Sequence, residues 1–447
     1  MKKILIKIKP CFKYFIVFFF FLFWNLIIQP VNLDEVWNYG FAHNIYKGLV
    51  PYLDFNMVIT PFFPFIMSII FKVFGSSMLI FHIEWAAILT FIVCILDKYL
   101  KDKSYLLLFF MIFPLSVCFP SYNMFLFFLF LIIITLEDKK ANDFIIGMVL
   151  GCIILTKQTV GVLMFLPSLY YFKDLKKILK RISGCFVVLL IFLLYLLFTH
   201  SFLAFFDLCF LGLFDFASSN GNLFNIYFVL GIIMILVVLY LIKGNTKNIK
   251  NYYFLAFFSV LIPLFDLYHF EIVFLAFLFT VFTQKDIKTY LNIKLFIPAV
   301  LIGLVLINLW YRDDNKIIYP NTIKHFEYRY LTNKYIDYSN NINNLYHKYR
   351  SLGKEVIFLS ADGYYFKIIN DIDIGYLDLI NTGNFGYNGS LKLMNMVKSR
   401  RNCVFFVDKS ELGSNKQTDQ AVLKYVINKG ILIEEMGSYS IYEMEDR

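Results

Sequence analysis

Long apolar runs, separated by short polar breaks, fill the chain from about residue 11 to residue 311. A lipid bilayer offers the backbone no hydrogen-bond partner, so runs of this kind cross it as helices. The composition agrees, because 59% of the residues are hydrophobic and only 17% are charged. A soluble globular chain does not have that balance. The pattern predicts a polytopic α-helical membrane protein.

We expect about 11 spans, several of them shorter than the roughly 20 residues of a perpendicular helix. The predicted spans cover residues 11–29, 77–97, 104–119, 124–136, 144–156, 160–172, 182–199, 224–242, 252–265, 270–283 and 295–311. The basic start MKKILIKIKP is typical of a signal sequence. No small-residue cleavage site follows it, so the first run is expected to remain as a span.

Charges in the loops predict the orientation of the spans. With the N-terminus in the cytoplasm, most Lys and Arg residues fall in the inside loops KYLKDK, EDKKAND, KDLKKILKR, KGNTKNIKN and QKDIKTYLNIK. The outside membrane loops then hold only Lys47, Lys72 and Lys157. The positive-inside rule favours this arrangement in a cell (cytoplasmic) membrane. The basic residues thus mark topology, and no nucleic-acid partner is expected.

The composition becomes that of a soluble domain from Arg312 onward. EVIFLS, NCVFFVD, ILIEEMG and SYSIYEME are typical of strands, whereas NNINNLYHKYRSLG and TDQAVLKYVINKG are typical of helices. We therefore expect a membrane domain of residues 1–311 and a small α/β domain of residues 312–447. An odd number of spans places that α/β domain outside the cytoplasm. Of the seven cysteines only Cys403 lies in this C-terminal domain, which is called the tail below, so no disulfide framework is predicted.

The first outside loop, residues 30–60, is long and carries two adjacent carboxylates, Asp34 and Glu35. A helix over residues 34–46 is predicted, because Asn32 suits an N-cap and Gly48 suits a helix end. An apolar stripe at helical spacing suits the headgroup boundary and consists of Trp37, Phe41 and Ile45. The segment TPFFPFIMSIIFKVFG that follows is expected to be a second juxtamembrane helix, too short for a full span.

This loop resembles the first outer loop of the GT-C superfamily of integral membrane glycosyltransferases, close to the protein O-mannosyltransferases and the lipid A aminoarabinose transferases. The similarity lies in the acidic pair after the first span, in GLVPYLDF with Gly48 and Pro51, and in TPFFPF followed by FG. The chain has Thr-Pro-Phe where such families often have PP-L. The resemblance implies an enzyme that takes sugar from a polyprenyl-phosphate carrier and transfers it to a cell-envelope glycan, lipid or protein.

The resemblance makes Asp34 the expected catalytic base, by its match to the first-loop acid of the family. Phosphate is a competent leaving group, so one carboxylate suffices where glycoside hydrolases use two. Asp34 and Glu35 point about 100° apart on a helix. Glu35 is therefore expected to orient a neighbour or to hold a metal ion. The alternative is that the two acids only stabilise a helix start.

Other outside polar residues complete the predicted site. Lys157, with Gln158 beside it, is expected to bind the donor phosphate, or else to be an interfacial Lys that reaches toward water. His269 is a second phosphate ligand, or with Glu35, Asp266 and Glu271 it would bind a divalent metal ion. Ordinary interfacial polarity is the alternative for that turn. Two further residues have an acceptor-binding or a structural role: Tyr52 and Asp54.

Three remaining patterns are weighed. Asp371 to Asp373 form a DxD like that of nucleotide-sugar transferases, but nucleotide sugars are not expected outside the cytoplasm. GNFGYNGS is not a dinucleotide motif, and a turn-rich loop at the acceptor cleft is the better interpretation. A transporter or flippase for lipid-linked sugars, and a polymerase or ligase of O-antigen type, are the alternative functions. Polar residues at the outer surface and acids in the first loop favour the glycosyltransferase.

Overall fold

The computed structural model shows a helical chain with a small sheet near its C-terminus. It describes residues 2–28, 31–100, 106, 109, 118–171, 174–220, 225–284, 317–318, 320–329, 331–372, 375, 380, 382–413 and 418–444. The predicted span at 295–311 lies outside the described residues, as does most of the one at 104–119.

Most of the described residues up to Gln284 are helical. The α-helices among them are α1 Lys2–Phe23, α2 Leu33–Lys47, α3 Phe62–Phe74, α4 Met78–Tyr99, α5 Tyr122–Asp138, α6 Asp143–Ile154, α7 Gln158–Phe165, α8 Leu175–Phe198, α9 Phe202–Phe206, α10 Gly212–Asn220, α11 Ile226–Gly244, α12 Ile249–Phe257 and α13 Leu267–Phe282. The described residues of this region also include π-helical segments at Trp24–Ile28 and Asp207–Leu211 and 3₁₀ segments at Leu166–Tyr171 and Phe258–Leu261.

Three of these helices are long and apolar enough to cross a membrane: α4, α8 and α11. Further apolar helices are shorter, among them Phe12–Ile27 and Leu267–Phe282. Large apolar side chains such as Phe198 and Leu203 are exposed along several of them, as expected where lipid replaces water. The helices indicate a multi-pass membrane protein, while the number of about 11 spans stays a prediction.

The basic segment KDLKKILKR does not form the predicted loop, because α8 already begins at Leu175. Arg181 is buried and donates to both carboxylate oxygens of Glu137, at 2.6 and 3.0 Å, and to Asp143 at 2.9 Å. A Cβ at Gly147 would overlap the Arg181 carbonyl, so α6 and α8 pack backbone to backbone. Burial inside the helix pair, with two acids to neutralise it, explains why this Arg is not at a solvated loop.

The first-loop helix is also placed differently from the prediction. Its limits agree: the Asn32 side chain accepts from Asp34 N, and Gly48 closes the helix in the left-handed region at φ 94°. However, α2 is not an interfacial helix with one wet face, because Phe41 and Ile45 are buried together with the polar residues between them. The tail covers it, and a Cβ at Gly40 would overlap the Tyr364 ring.

The tail contains helices and a mixed sheet. The helices are α14 Asn333–Ser351, α15 Gly363–Ile369, α16 Gly389–Ser399 and α17 Gln420–Lys429, and the strands are β1 Ile317–Ile318, β2 Leu331–Thr332, β3 Glu355–Leu359, β4 Cys403–Asp408, β5 Gly430–Met436 and β6 Tyr439–Met444. The four-stranded sheet has the order β3-β4-β6-β5, with β3 and β4 parallel and the other pairs antiparallel. All four predicted tail strands and both predicted tail helices are confirmed.

The two faces of this sheet have different neighbours. Phe358 and Phe406 belong to the core cluster that continues into α2 and the apolar helices. Phe405 and Val407, on the opposite face, belong to a second cluster that includes residues of α16 and α17. Strands buried on both faces are continuous apolar runs, which is why EVIFL and CVFFV were recognisable in the sequence. One face of the sheet thereby holds the tail against the first-loop helix.

Candidate functional site

Asp34 lines a cavity of about 200 Å³. The walls come from four parts of the chain: the first loop and its helix, the starts of α5 and α13, the α10 region, and the tail just before α16. The lining residues are Asp34, Trp37, Asn38, Phe41, Val58, Ile59, Tyr122, Asn123, Phe216, Leu264, Asp266, Tyr268, His269, Thr382 and Asn384. The predicted residues Asp34, Asp266 and His269 are therefore brought together.

Asp34 is the acid of this cavity whose protonation is most perturbed. Burial, together with the negative charge of Asp266 across the cavity, raises its pKa to about 6. A carboxylate with this pKa is deprotonated at neutral pH and binds a proton more strongly than an ordinary Asp. Asp34 thus has the properties of a general base.

A chain of hydrogen bonds joins Asp266 to Lys157 along the cavity wall. The His269 Nδ1–H donates to Asp266 Oδ1 at 2.8 Å, and His269 Nε2 accepts from the Asn123 amide at 3.2 Å. Lys157 Nζ donates to the Asn123 carbonyl oxygen at 3.4 Å and to Val260 O at 3.2 Å. His269 is therefore neutral in this arrangement, and Asp266 fixes its tautomer.

Lys157 and Gln158 line a second, smaller chamber of about 60 Å³. It shares Tyr122 and His269, among other wall residues, with the Asp34 cavity. Burial lowers the pKa of Lys157 to about 8, against the opposing attraction of Asp266. The Gln158 amide donates to Cys209 O at 2.7 Å, which fixes Gln158 against the π-helical segment. The site therefore has an acidic chamber and a cationic chamber side by side.

Asp266 also carries a second function, as the N-cap of α13. Its Oδ1 accepts from the His269 backbone N–H at 2.8 Å. Burial would raise the pKa of Asp266, but the hydrogen bonds that His269 donates and the positive charge of Lys157 hold it below its ordinary value. Asp266 therefore stays charged, and its charge acts on both Asp34 and Lys157.

Glu35 faces away from the cavity and is completely buried. Arg329 donates from Nε to Oε1 at 2.8 Å and from a terminal nitrogen to Oε2 at 2.7 Å. His82 Nε2 lies 2.7 Å from Oε1. Burial alone would raise the pKa of Glu35, but the positive charge of Arg329 and the contacts of His82 hold it well below its ordinary value. This placement does not favour chemistry of Glu35 on a substrate, and the orienting role expected of Glu35 stays a prediction.

Arg329 continues the link from Glu35 to the first helix. It is fully buried, and it also donates to the Asn25 carbonyl in the π-helical segment that follows α1. Arg329 lies in the tail, so the pair joins tail, first loop and first helix. The sequence offered no periodic signal for it, since Arg329 stands in a loop of irregular polar residues.

Tyr52 and Asp54 stabilise a turn and do not line the cavity. The Tyr52 hydroxyl donates to Ile59 O at 2.9 Å, and the Asp54 carboxylate accepts from Val50 N at 2.6 Å. Tyr52 is buried, whereas Asp54 is exposed. Of the two roles weighed for them, the placement favours the structural one.

The predicted metal ligands are only partly assembled. Asp266 and His269 line the cavity, while Glu35 is engaged by Arg329 and Glu271 lines neither chamber. Within the described parts of the chain, the ligand atoms of these four residues do not form a common cluster. A divalent metal ion held by this set stays a prediction that the placement does not favour.

Several residues of the site were not predicted from the sequence. One of them is Asn123, which joins His269 to Lys157. Its position as a polar residue at the start of an apolar helix is the signal by which the sequence could have identified it. Trp37 had been assigned to a lipid-facing stripe, but it lines the cavity. The Trp37 indole N–H and the Asn38 Oδ1 have no hydrogen-bond partner among the described residues. Both are available to a polar ligand.

A tail loop covers one side of the cavity. This roof loop, residues 382–392, contributes Thr382 and Asn384 to the lining. Asp207 accepts from Tyr387 N at 3.1 Å and pairs with Lys392, and Asp215 accepts from Gly389 N at 3.1 Å. The predicted position of this Gly-rich loop beside the cleft agrees with the structure.

Comparison of the chain with protein-family models, curated proteins and solved structures found no match.

Proposed function

We propose that the chain is a membrane glycosyltransferase that moves a sugar from a polyprenyl-phosphate donor to a cell-envelope glycan, lipid or protein. The supporting observation is the paired chambers: Asp34, with its raised pKa, lines one, and Lys157 lines the other. Glycosyl transfer from a lipid phosphate needs a base for the acceptor and a cation for the departing phosphate. These two groups lie in adjoining chambers with a shared wall.

In the proposed mechanism Asp34 removes the proton from the acceptor hydroxyl as that oxygen attacks the anomeric carbon. The bond between that carbon and the phosphate oxygen breaks, and the phosphate leaves as an anion stabilised by Lys157. Asn123 and Val260 O hold the Lys157 ammonium group in place. Trp37 N–H and Asn38 Oδ1 would hydrogen-bond sugar hydroxyls. No acid is required, because phosphate leaves without protonation.

The donor's isoprenoid chain needs an apolar path beside the site. The segment from α9 to α10 presents exposed apolar side chains: Phe202, Leu203, Phe206, Phe210 and Phe214. Phe216, from the same segment, lines both chambers. This surface suits a lipid tail whose phosphate reaches Lys157. We place the site, the roof loop and the tail on the extracytoplasmic face, as the loop charges favour.

The test is turnover by the purified full chain in detergent. Short-chain polyprenyl-phosphate hexoses and pentoses would be offered as donors, with a cell-envelope extract as acceptor, and release of polyprenyl phosphate would be measured. Asp34→Asn is expected to lower turnover by about 10²- to 10⁴-fold. Asp337→Asn, which makes the same change on the exposed side of α14, is the matched control. Undiminished turnover in Asp34→Asn would reject the mechanism.

The same protein in vesicles separates the enzyme from the alternative transporter. An enzyme releases polyprenyl phosphate whether or not the bilayer is sealed, given donor and acceptor on the outer side of the site. A flippase moves intact donor between leaflets and releases none. Movement of uncleaved donor, with no release in any condition, would favour the transporter.

A further inference from the structure

A second group of chemically active side chains lies where α2 meets the tail, outside the Asp34 cavity. We propose that His43, His325 and Asp371 bind a divalent transition-metal ion, of which Zn²⁺ fits best. The ion would join the first-loop helix to two tail segments. The inference does not depend on the proposed glycosyl transfer.

The distances suit one ion. One ligand atom from each of the three residues can be chosen so that all lie within 4.8 Å of one another. Around a tetrahedral Zn²⁺ with bonds of about 2.0–2.2 Å, the ligand atoms are roughly 3.4 Å apart. The His43 and His325 rings are 5.2 Å apart between centroids. Small side-chain rotations would bring the three atoms to that spacing.

The hydrogen bonds around His325 allow a tautomer that suits a metal ion. The Tyr39 hydroxyl lies 3.4 Å from Ser76 O, which can only accept, and 3.3 Å from His325 Nδ1. If Tyr39 donates to Ser76, it accepts from His325 Nδ1–H. A neutral His325 then directs the lone pair of Nε2 at Asp371 Oδ1, 2.5 Å away. That tautomer offers Nε2 and Oδ1 together to a metal ion, whereas a His325 with its proton on Nε2 donates that proton to Asp371 and accepts from Tyr39.

The backbone supports the metal ion over a chance contact. His325 has φ 65° and Asp371 has φ 53°, so both ligands from the tail are in the left-handed region. This conformation costs a non-glycine residue on the order of 1 kcal/mol, and such residues cluster at ligand-binding positions. A bound ion would offset the cost at both residues at once.

The neighbouring lysines leave room for the ion. Lys324 pairs with Oδ2 of Asp371, and Lys47 donates to the Asp371 carbonyl oxygen at 3.4 Å. Neither occupies Oδ1. The Asp371 side chain is 39% exposed, so water can reach the fourth coordination position. Two imidazoles with one carboxylate favour Zn²⁺ over Mg²⁺ or Ca²⁺, which prefer oxygen ligands.

Metal binding by the full chain in detergent tests the proposal. After removal of metal with a chelator, the protein would be titrated with Co²⁺ and Zn²⁺. We expect one ion per chain, d–d absorption of tetrahedral Co²⁺, and a melting temperature that Zn²⁺ raises and chelator lowers. His325→Asn and Asp371→Asn remove one ligand each while keeping a residue type that tolerates positive φ. Each should weaken binding by at least about 100-fold, because even partners of ligands are worth about 10- to 100-fold.

Two controls make the outcome decisive. His347→Asn, an exposed His on α14, should bind metal like the wild type. Tyr39→Phe, which removes the partner of His325 Nδ1, should weaken binding by about 10-fold or more. If the wild-type chain binds no more Co²⁺ than His325→Asn, and Zn²⁺ does not raise its melting temperature, the contact between His325 and Asp371 is only a hydrogen bond. That result rejects the metal site without bearing on glycosyl transfer.

Discussion

Arg329 donates to both carboxylate oxygens of Glu35, at 2.8 and 2.7 Å, and neither side chain is exposed to solvent. Each charge has been removed from water at a cost that the other charge, together with His82 and the Asn25 carbonyl, helps to offset. The pair therefore fixes how the tail sits on the first-loop helix. Asp34, the residue just before Glu35 on that helix, takes its position from the same contact.

Removing one partner of this pair should destabilise the chain strongly. Arg329→Ala leaves Glu35 as a buried charge with His82 beside it, and we expect the free energy of unfolding to fall by about 3–5 kcal/mol. Thermal and denaturant unfolding in detergent would measure it. Lys348→Ala breaks the exposed pair with Glu434 and should cost no more than about 1 kcal/mol. Equal losses in the two variants would contradict the role given to Arg329.

The pH dependence of turnover should report Asp34. A base with a pKa of about 6 must lose its proton to act. The kcat/KM for the donor should therefore rise from pH 5 to 7 with a midpoint near 6. Asp266→Asn removes the negative charge that raises this pKa but keeps a residue suited to the N-cap. Its midpoint should move to lower pH. An unchanged midpoint would show that Asp34 is not the titrating base.

The charged Asp34 side chain should also lower the free energy of unfolding at neutral pH. Its pKa is about 6 in the folded chain against an ordinary value of 3.8, so the folded state binds the proton more strongly than the unfolded state. Stability from this group is present below pH 4 and is lost as pH rises through 6. At pH 7.5 the free energy of unfolding of Asp34→Asn should therefore exceed that of the wild type by on the order of 1 kcal/mol, and its melting temperature should be higher. The difference in stability between Asp34→Asn and the wild type should disappear near pH 4. An Asp34→Asn variant that is less stable than the wild type at pH 7.5 would contradict this prediction.

Lys157 should govern donor binding. Lys157→Ala removes the cation of the smaller chamber, so we expect the donor KM to rise by about 10-fold or more with a smaller change in kcat. Because burial lowers the pKa of Lys157 to about 8, donor affinity in the wild type should fall above that pH. Lys72→Ala, at an exposed position near the end of α3, is the control. An unchanged donor KM in Lys157→Ala would exclude the phosphate role.

The roof loop should tolerate no side chain at Gly386. This residue has φ 74°, and an added Cβ would overlap the Asp207 carboxylate. Gly386→Ala should displace the loop and lower turnover with the acceptor. Gly437→Ala has a similar backbone strain, at φ 59°, with nothing within 4 Å of an added Cβ. Turnover should be kept in Gly437→Ala, and comparable losses in both would mean that strain alone is responsible.

Local patterns predicted the local structure well. Asn32 and Gly48 gave the limits of α2, and strands such as CVFFVD were recognised because both faces are buried. The approximately 100° between Asp34 and Glu35 correctly assigned them to different surroundings, one the cavity and the other Arg329. These features depend on residues within a few positions of each other.

Long-range contacts were not predictable in this way. The Trp37 stripe appeared suited to lipid because the sequence gives no sign that the tail covers α2. Arg181 appeared to be a loop charge, since Glu137 and Asp143 belong to earlier helices. The bond from Asn123 to His269 joins residues 146 positions apart. A single sequence contains no local signal for such long-range partners.

The link between Glu35 and Arg329 sets the order of events during biosynthesis. The two residues are 294 positions apart, so at about 5–20 residues per second Arg329 is synthesised roughly 15 to 60 s after Glu35. Throughout that interval the first loop contains a carboxylate without the guanidinium that its final position requires. The first-loop helix can therefore reach its buried position only after most of the chain has left the ribosome.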